Sequence, residues 1–325
     1  MWTGLTLCLF AAFLFTIAIG PVNIPLWDVV HVFLSSSRSV DSTIVLSLRL
    51  PVAVACVIVG AGLGVSGALF QAVLRNPLAD PYILGVSAGA ALGAAVAQAG
   101  MPGSVSVSAS AFVGAVCAMA IVYLLSRMSG RTTPLYLILA GVAVSALLGS
   151  VLSFVILMSG SMQAKIYSIM LWLMGGVKEA GWGELGFLGV TFLVLFGLAV
   201  LMSRYLDILS LGDEKASSLG VPVERTRVLA MTIAALLAGV AVYLSGLVGF
   251  VGLVVPHITR LVIGPSHRRL IMVSALVGAL FLLVSDLIAR TVLGPVEVPV
   301  GIITSLIGAP FFLYLLLRTY RGYRF

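Results

Sequence analysis

The chain has 325 residues, of which 61% are hydrophobic and only 9% are charged. Soluble domains carry about 25% charged residues, so this composition excludes a soluble enzyme, a base-reading nucleic-acid-binding protein and a secreted disulfide-linked domain. A membrane-spanning helix needs about 20 mostly apolar residues, and the chain holds enough of them for about ten. The composition therefore predicts an all-α, polytopic membrane protein with a single domain, 1–325.

Ten apolar stretches are long enough to form transmembrane helices. They lie near residues 2–19, 49–74, 82–99, 105–126, 134–158, 186–203, 228–246, 247–263, 269–289 and 300–317. Two further apolar stretches, 22–34 and 166–177, are too short to cross a bilayer. Such pieces are typical of re-entrant or interfacial helices, and we expect both on the outer side.

The distribution of basic residues predicts the orientation of the chain. An even number of crossings places both chain ends on one side, where twelve Lys and Arg residues then lie, against five on the other side. The twelve are Arg75, Arg127, Arg131, Arg204, Lys215, Arg225, Arg227, Arg268, Arg269, Arg318, Arg321 and Arg324, and the five are Arg38, Arg49, Lys165, Lys178 and Arg290. Cytoplasmic loops carry the excess of basic residues, so both termini are predicted to be cytoplasmic.

The segment 75–81 reads Arg-Asn-Pro-Leu-Ala-Asp-Pro and connects the second and third predicted spans. Pro77 and Pro81 prevent a continuous helix. Asp80 is suited to accept a hydrogen bond at the start of the next helix, with Pro81 in its first turn. The pattern predicts a rigid inner turn that includes Asn76 and a helix that restarts at Pro81.

Glycines recur every four residues in the third predicted span, at Gly85, Gly89 and Gly93. This spacing places them on one face of a helix, where a neighbouring backbone can approach closely. We predict tight helix packing along this face. A lining of the translocation path is the alternative.

These motifs resemble those of the FecCD-type permeases. The similar segments are Gly-Ala-Leu-Phe-Gln at 67–71, the inner turn at 75–81 and Leu-Gly-Val-Ser-Ala-Gly-Ala at 84–90. Others are Gly-Phe-Val-Gly-Leu-Val-Val-Pro-His-Ile at 249–258, Glu-Val-Pro-Val-Gly at 297–301 and Gly-Ala-Pro at 308–310. The resemblance spans nearly the whole chain. It implies a permease subunit of an ATP-binding cassette (ABC) importer for iron-siderophores, haem or cobalamin, in the bacterial inner membrane.

The resemblance also implies the partners of the chain. They are a second copy of itself across the transport pathway, two ATPase subunits inside, a substrate-binding protein outside and the lipid bilayer, with no nucleic acid. A phosphate-binding loop needs Gly-Lys followed by Ser or Thr, but Lys165, Lys178 and Lys215 follow Ala, Val and Glu. We therefore expect a transport subunit rather than an enzyme, with ATP and Mg²⁺ on the separate ATPase and no metal or cofactor on this chain.

An ion-gradient-driven secondary transporter is the alternative function, and a passive channel has less use for an organised inner loop. A secondary transporter needs ionisable groups inside the membrane. Asp286 in the ninth span is a candidate for such a group, but Arg290 follows it one helical turn later. An ion pair between these two residues explains the pattern as well as a proton relay does.

The resemblance implies outer residues that receive the binding protein. Family members often carry Arg-Leu-Pro-Arg at the start of the second helix, where the arginines receive acidic residues of the docking protein. This chain has Arg49 and Val52 at the two positions. Arg49 and Arg290 are thus predicted docking residues, and Val52 departs from the pattern. Snorkelling of the arginines to the membrane surface is the alternative.

The longest predicted inner loop, 206–227, is a candidate cytoplasmic coupling loop. Gly212 precedes a short helical stretch at 213–219, and Gly220 ends it. The resemblance implies that this loop enters a groove of the ATPase. We predict that Ala216 and Leu219, three residues apart, share the contacting face and that Gly220 supplies the turn. A solvated connector is the alternative.

Overall fold

A computed structural model describes residues 2–20, 22–34, 39–100, 106–128, 132–159, 163–177, 180–293 and 296–322. Within these ranges the structure contains helices, turns and irregular connections but no strands. The helices are α1 Trp2–Ala18, α2 Leu26–Leu34, α3 Val40–Thr43, α4 Leu50–Leu74, α5 Val86–Gly100, α6 Val107–Arg127, α7 Pro134–Met158, α8 Gln163–Leu173, α9 Trp182–Leu209, α10 Asp213–Ser218, α11 Val223–Ser245, α12 Val251–Ile263, α13 His267–Thr291 and α14 Val300–Gly322. A π-helical turn, Ile44–Arg49, leads into α4, and a 3-10 turn, Pro81–Leu84, precedes α5.

Ten of these helices coincide with the ten predicted spans. By length and apolar composition, α4, α6, α7, α9, α11 and α13 are able to cross a membrane, whereas α1, α5, α12 and α14 are shorter apolar helices. The predicted polytopic all-α fold is confirmed. The two short apolar stretches form separate helices, α2 and α8, whose outer location stays a prediction.

The orientation of the bundle also stays a prediction. Of the charges counted for it, two on the inner side, Arg131 and Arg324, and two on the outer side, Arg38 and Lys178, lie outside the described residues. We use "inner end" for the end that carries the 75–80 turn and α10, and "outer end" for the opposite end.

Helix α4 lies at the centre of the bundle. Its sequence is apolar on all sides, as is typical of a helix surrounded by protein, and 21 of its 25 residues are buried. It packs against α11, α12 and α13. Glycine permits the close approach: a Cβ at Gly60 would overlap the carbonyl oxygen of Gly278 on α13, and one at Gly67 would overlap that of Gly252 on α12.

The glycine stripe of the third span differs from the prediction in one member. Gly89 and Gly93 face α6, where an added Cβ would overlap the carbonyl oxygens of Gly114 and Ser110. Gly85 is not on this stripe, because it lies between the 3-10 turn and α5 with a φ of +82°. That backbone conformation favours glycine. Gly85 therefore changes the direction of the chain.

Three non-helical connections pack together inside the bundle: those after α8, between α11 and α12, and before α14. The backbone N–H of Gly176 donates to the carbonyl of Ser245 at 2.8 Å, and that of Gly301 donates to the carbonyl of Gly175 at 3.3 Å. Non-helical backbone at membrane depth needs such partners or a water-filled cavity. A cavity of about 660 Å³ lies beside these connections.

Candidate functional sites

The inner end carries a short helix between two glycines. Gly212 and Gly220 have φ of +114° and +79°, conformations that favour glycine. The chain therefore turns sharply before and after α10. The predicted short helix with a glycine stop is confirmed, and it ends one residue earlier than predicted. We call residues 206–227 the coupling segment.

The predicted contact face of the coupling segment needs correction. Ala216 has 0% of its surface exposed, whereas Leu219 is 61% exposed. The backbone N–H of Val221 donates to the carbonyl of Ala216 at 3.0 Å, so the chain folds back over this residue. Ala216 therefore supports α10 from within and is not a surface contact. The exposed apolar side chains of this region are Leu219 and Leu211, which is 56% exposed.

Asp213 fastens the coupling segment to the rest of the inner end. Its carboxylate accepts two hydrogen bonds from the Arg227 guanidinium, at 2.9 and 3.1 Å. It accepts another from Arg75, which follows α4 directly. Arg75 also donates through Nε to the carbonyl of Leu209, at 3.2 Å. The first residue of α10 is thus bound to the ends of two long helices.

These contacts predict how stability depends on pH. Partial burial alone would raise the pKa of Asp213, but the hydrogen bonds and charges of Arg227 and Arg75 lower it below its ordinary value of 3.8. A carboxyl whose pKa is lowered by folding stabilises the fold fully above its ordinary pKa, and this contribution is lost progressively as pH falls from there through the lower pKa of the folded state. We expect Asp213→Asn to lower the Tm by a nearly constant amount between pH 8 and pH 5, because this whole range lies more than one unit above 3.8 and the carboxyl stays ionised in both the folded and the unfolded chain.

Thermal unfolding in detergent checks this expectation. Below about pH 4 the difference in Tm between the wild type and Asp213→Asn should shrink, because the wild-type carboxyl becomes neutral as well. A difference that persists unchanged to pH 3 would show that the charge of Asp213 contributes nothing to stability.

The inner turn at 75–81 is held by its own side chains. Asn76 accepts a hydrogen bond from the backbone N–H of Leu78 at 3.0 Å, and Asp80 accepts one from that of Tyr82 at 2.8 Å. Asp80 is therefore the predicted N-cap. The helix restarts at Pro81, as predicted, but as a 3-10 turn that Gly85 separates from α5. Pro77 is also part of this turn, and its carbonyl lies 3.4 Å from Nδ1 of His257.

A cavity of about 830 Å³ opens at the outer end. Both predicted docking arginines line it, together with Glu297, Gln98 and Trp172. Its size is within the range of small-molecule sites. The structure thus brings Arg49 and Arg290 to one place, although they are far apart in sequence.

Both arginines are largely buried: Arg49 is 6% exposed and Arg290 is 9% exposed. The Arg49 guanidinium donates to the carbonyls of Ile17 and Ala18, each at 2.9 Å. Arg290 forms an ion pair with Asp286. Arg290 also donates to the carbonyl of Thr16 at 3.5 Å, so both arginines bind the end of α1. Their docking role stays a proposal.

The Asp286–Arg290 pair answers a question left open by the sequence. The two residues are one turn apart on α13 and bind each other, so the ion-pair alternative is the one observed. The pair gives no support to the ion-gradient alternative.

Sequence reasoning missed part of the inner network. The sequence shows charged residues at 224 and 227 but does not show their partners. Glu224 accepts hydrogen bonds from the hydroxyls of Thr132, at 2.5 Å, and Tyr123, at 3.2 Å. Thr132 precedes α7 and Tyr123 lies on α6. A usable signal was the position of Arg227 in the first turns of an apolar helix, where a charge needs a partner.

Together these features define a polytopic helical permease with an organised segment at its inner end and a cavity lined by two arginines at its outer end. The chain belongs to the FecCD transport family, whose model matches residues 8–318. This membership confirms the resemblance. The chain is a permease subunit of the ABC-importer class.

Individual comparisons agree with this membership. Over 250 residues the chain is 47% identical to a cobalamin import system permease protein from Halobacterium salinarum, covering 76% of this chain and 66% of that one. It is 39% identical over 280 residues to a hemin transport system permease protein from Yersinia pestis, covering 84% and 83%. A solved structure of a metal-chelate type ABC transporter in an inward-facing conformation superposes with a TM-score of 0.86 at 33% identity, covering 97% and 98%.

Proposed function

We propose that this chain is the membrane subunit of an importer that moves a metal chelate inward, driven by ATP hydrolysis on separate ATPase chains. The observation that carries the proposal is the arrangement of the coupling segment at the inner end. Leu211 and Leu219, which flank its short helix, are exposed, while Asp213 in the helix binds Arg75 and Arg227. Exposed apolar side chains on a segment that is bonded to two long helices suit the transfer of movement from a second protein to this chain.

The full assembly in this proposal contains two copies of the chain, two ATPase subunits and an outer substrate-binding protein. Two apolar helices support a second copy as a neighbour. On α7 only three residues are buried, and α14 exposes Leu306, Leu313 and Leu317. Such faces suit lipid or another membrane protein. In this assembly ATP and Mg²⁺ bind the ATPase, in a bacterial inner membrane.

The substrate class is a metal chelate because relatives carry cobalamin and haem permease names. The test measures ATP hydrolysis by the complete complex with cyanocobalamin, haemin or ferrichrome, each with its loaded binding protein. One chelate should stimulate hydrolysis several-fold, and cyanocobalamin is the first to test because of the 47% identity. If none of them stimulates hydrolysis, the metal-chelate assignment is wrong.

The proposed orientation predicts labelling from one side. Ser266 lies before α13 and is exposed, and Asn23 is exposed between α1 and α2. In a cysteine-free background, Ser266→Cys should react with an impermeant thiol reagent from the cytoplasm only, and Asn23→Cys from outside only. The converse pattern would contradict cytoplasmic termini. Ser129, another position suited to this test from the sequence, lies outside the described residues.

The proposed docking role of Arg49 and Arg290 requires variants that keep the fold. A glutamate at 49 would meet backbone carbonyls, so Arg49→Gln is the better change, because it removes the charge and keeps N–H donors. For Arg290 the neutral double variant Asp286→Asn/Arg290→Gln leaves no unpaired charge. We expect the binding protein to associate about fivefold more weakly with each of them, and with less salt dependence than the wild type.

Association measured at low and high salt, alongside the Tm, decides the docking role. If affinity and salt dependence match the wild type while the Tm falls, the two arginines only fasten the outer end.

A further inference from the structure

Arg227 is a buried cation near the start of α11. Only 1% of its surface is exposed, and it is one of the largest fully buried side chains among the described residues. A buried charge is tolerated only when it is paired and hydrogen-bonded. The partners of Arg227 therefore show which parts of the inner end it holds together.

The guanidinium of Arg227 joins two connections that are distant in sequence. One side donates to both carboxylate oxygens of Asp213, the first residue of α10. The other side donates to the backbone carbonyl of Thr132, two residues before α7. The Thr132 hydroxyl also donates to Glu224, one turn before Arg227 on α11. A planar guanidinium is able to make both contacts at once because its donors point in fixed, divergent directions.

Asp213 extends the same network to a third connection. Its carboxylate also binds Arg75, the residue that ends α4 and opens the inner turn. Helix α10 is thus bonded to the entry of α7 through Arg227 and to the exit of α4 through Arg75. The described network contains no other route of side-chain hydrogen bonds between α10 and Thr132.

We propose that Arg227 is a positioning residue that transmits displacement of α10 to the inner end of α7. When the ATPase moves α10, the Asp213–Arg227–Thr132 connection carries α7 with it. This inference rests on the proposed function, because it assumes that a partner acts on α10. It adds the residue through which that action reaches a membrane helix.

Arg227→Lys tests the inference in the complete complex, reconstituted in proteoliposomes with its ATPase and binding protein. Lysine keeps the positive charge but has no planar fork to hold both partners. We expect assembly and ATP hydrolysis to persist, while the amount of chelate moved per ATP falls about tenfold. Arg204→Lys is the matched control, because Arg204 is exposed near the inner end of α9, outside the coupling segment, and its change should leave this ratio unaltered.

A distance measurement separates transmission from general loosening. Spin labels at Leu135 on α7 and Ser266 before α13, both exposed, report the position of the inner end of α7. In otherwise wild-type complex their separation should change when ATP binds. In Arg227→Lys this change should be lost although the ATPase remains bound.

Asp213→Asn keeps the test decisive if Arg227→Lys does not fold. It removes the charge from a partly exposed residue and should lower the ratio and the distance change in the same way. If either folded variant keeps both the wild-type ratio and the wild-type distance change, the inference is wrong. A wild-type complex that transports no chelate would instead refute the proposed function. Failure of the inference and failure of the proposed function therefore give different results.

Discussion

Replacement of Leu219 by aspartate is expected to reduce ATP-driven transport by at least about tenfold, because burying a carboxylate in an apolar contact costs several kcal/mol. Leu219 is exposed, so the change should leave the fold of the permease intact. Uptake, together with retention of the ATPase on the purified permease, measures the effect. We expect ATPase binding to weaken and stimulated hydrolysis to be lost.

Ser217→Asp is the matched control for this change. Ser217 is exposed on α10 and lies two residues from Leu219, on a different face of the helix. Ser217→Asp adds the same charge to the same segment but away from the proposed contact, so transport should fall far less than with Leu219→Asp. If Leu219→Asp assembles and transports like the wild type, the coupling segment has no part in the mechanism and the solvated-connector alternative is correct.

Gly67→Ala is expected to have the largest effect on stability. A Cβ there would overlap the carbonyl oxygen of Gly252, which is backbone and is unable to rotate away. Overpacking of this kind costs about 3 kcal/mol, which outweighs the gain of about 1 kcal/mol that alanine brings to a helix. The net loss should appear as a lower Tm in detergent and as reduced yield of folded permease.

Gly197→Ala on α9 is the control for the glycine change. An added Cβ there meets nothing within 4 Å, so only the helix propensity should act, and stability should rise by up to about 1 kcal/mol. If both alanine variants are equally stable, the close approach of α4 and α12 does not depend on Gly67.

The sequence predicted the helices well because the bilayer imposes a simple rule. A span has to be apolar over most of its length and has to satisfy its own backbone, so hydropathy alone locates it. The short helix α10 was also predictable, because a glycine stands at each end of it. Gly212 and Gly220 both have a positive φ, which glycine adopts most easily. In each case the signal lies within a few neighbouring residues.

The parts that were missed or wrong depend on contacts between distant segments. Ala216 and Leu219 are spaced like neighbours on a helix face, but the return of the chain at Val221 buries one of them only. The contacts of Arg49 with the carbonyls at the end of α1 were not predicted, because nothing near Arg49 in the sequence indicates them. Local spacing carries no information about such long-range packing.

The Gly85 correction has a different cause, which is local. Its spacing from Gly89 and Gly93 fits a helical stripe, but the 3-10 turn that starts at Pro81 interrupts the helix first. The prolines predicted a restart, not its type. Local turn geometry therefore prevailed over periodicity at this position.

The central claim is that ATP hydrolysis on a partner drives transport through this chain. The direct measurement is uptake of the stimulating chelate into proteoliposomes that contain the permease, the ATPase and the binding protein. We predict uptake that requires ATP, stops with a non-hydrolysable analogue and does not occur with an imposed proton gradient alone. Uptake driven by the gradient in the absence of the ATPase would contradict the account.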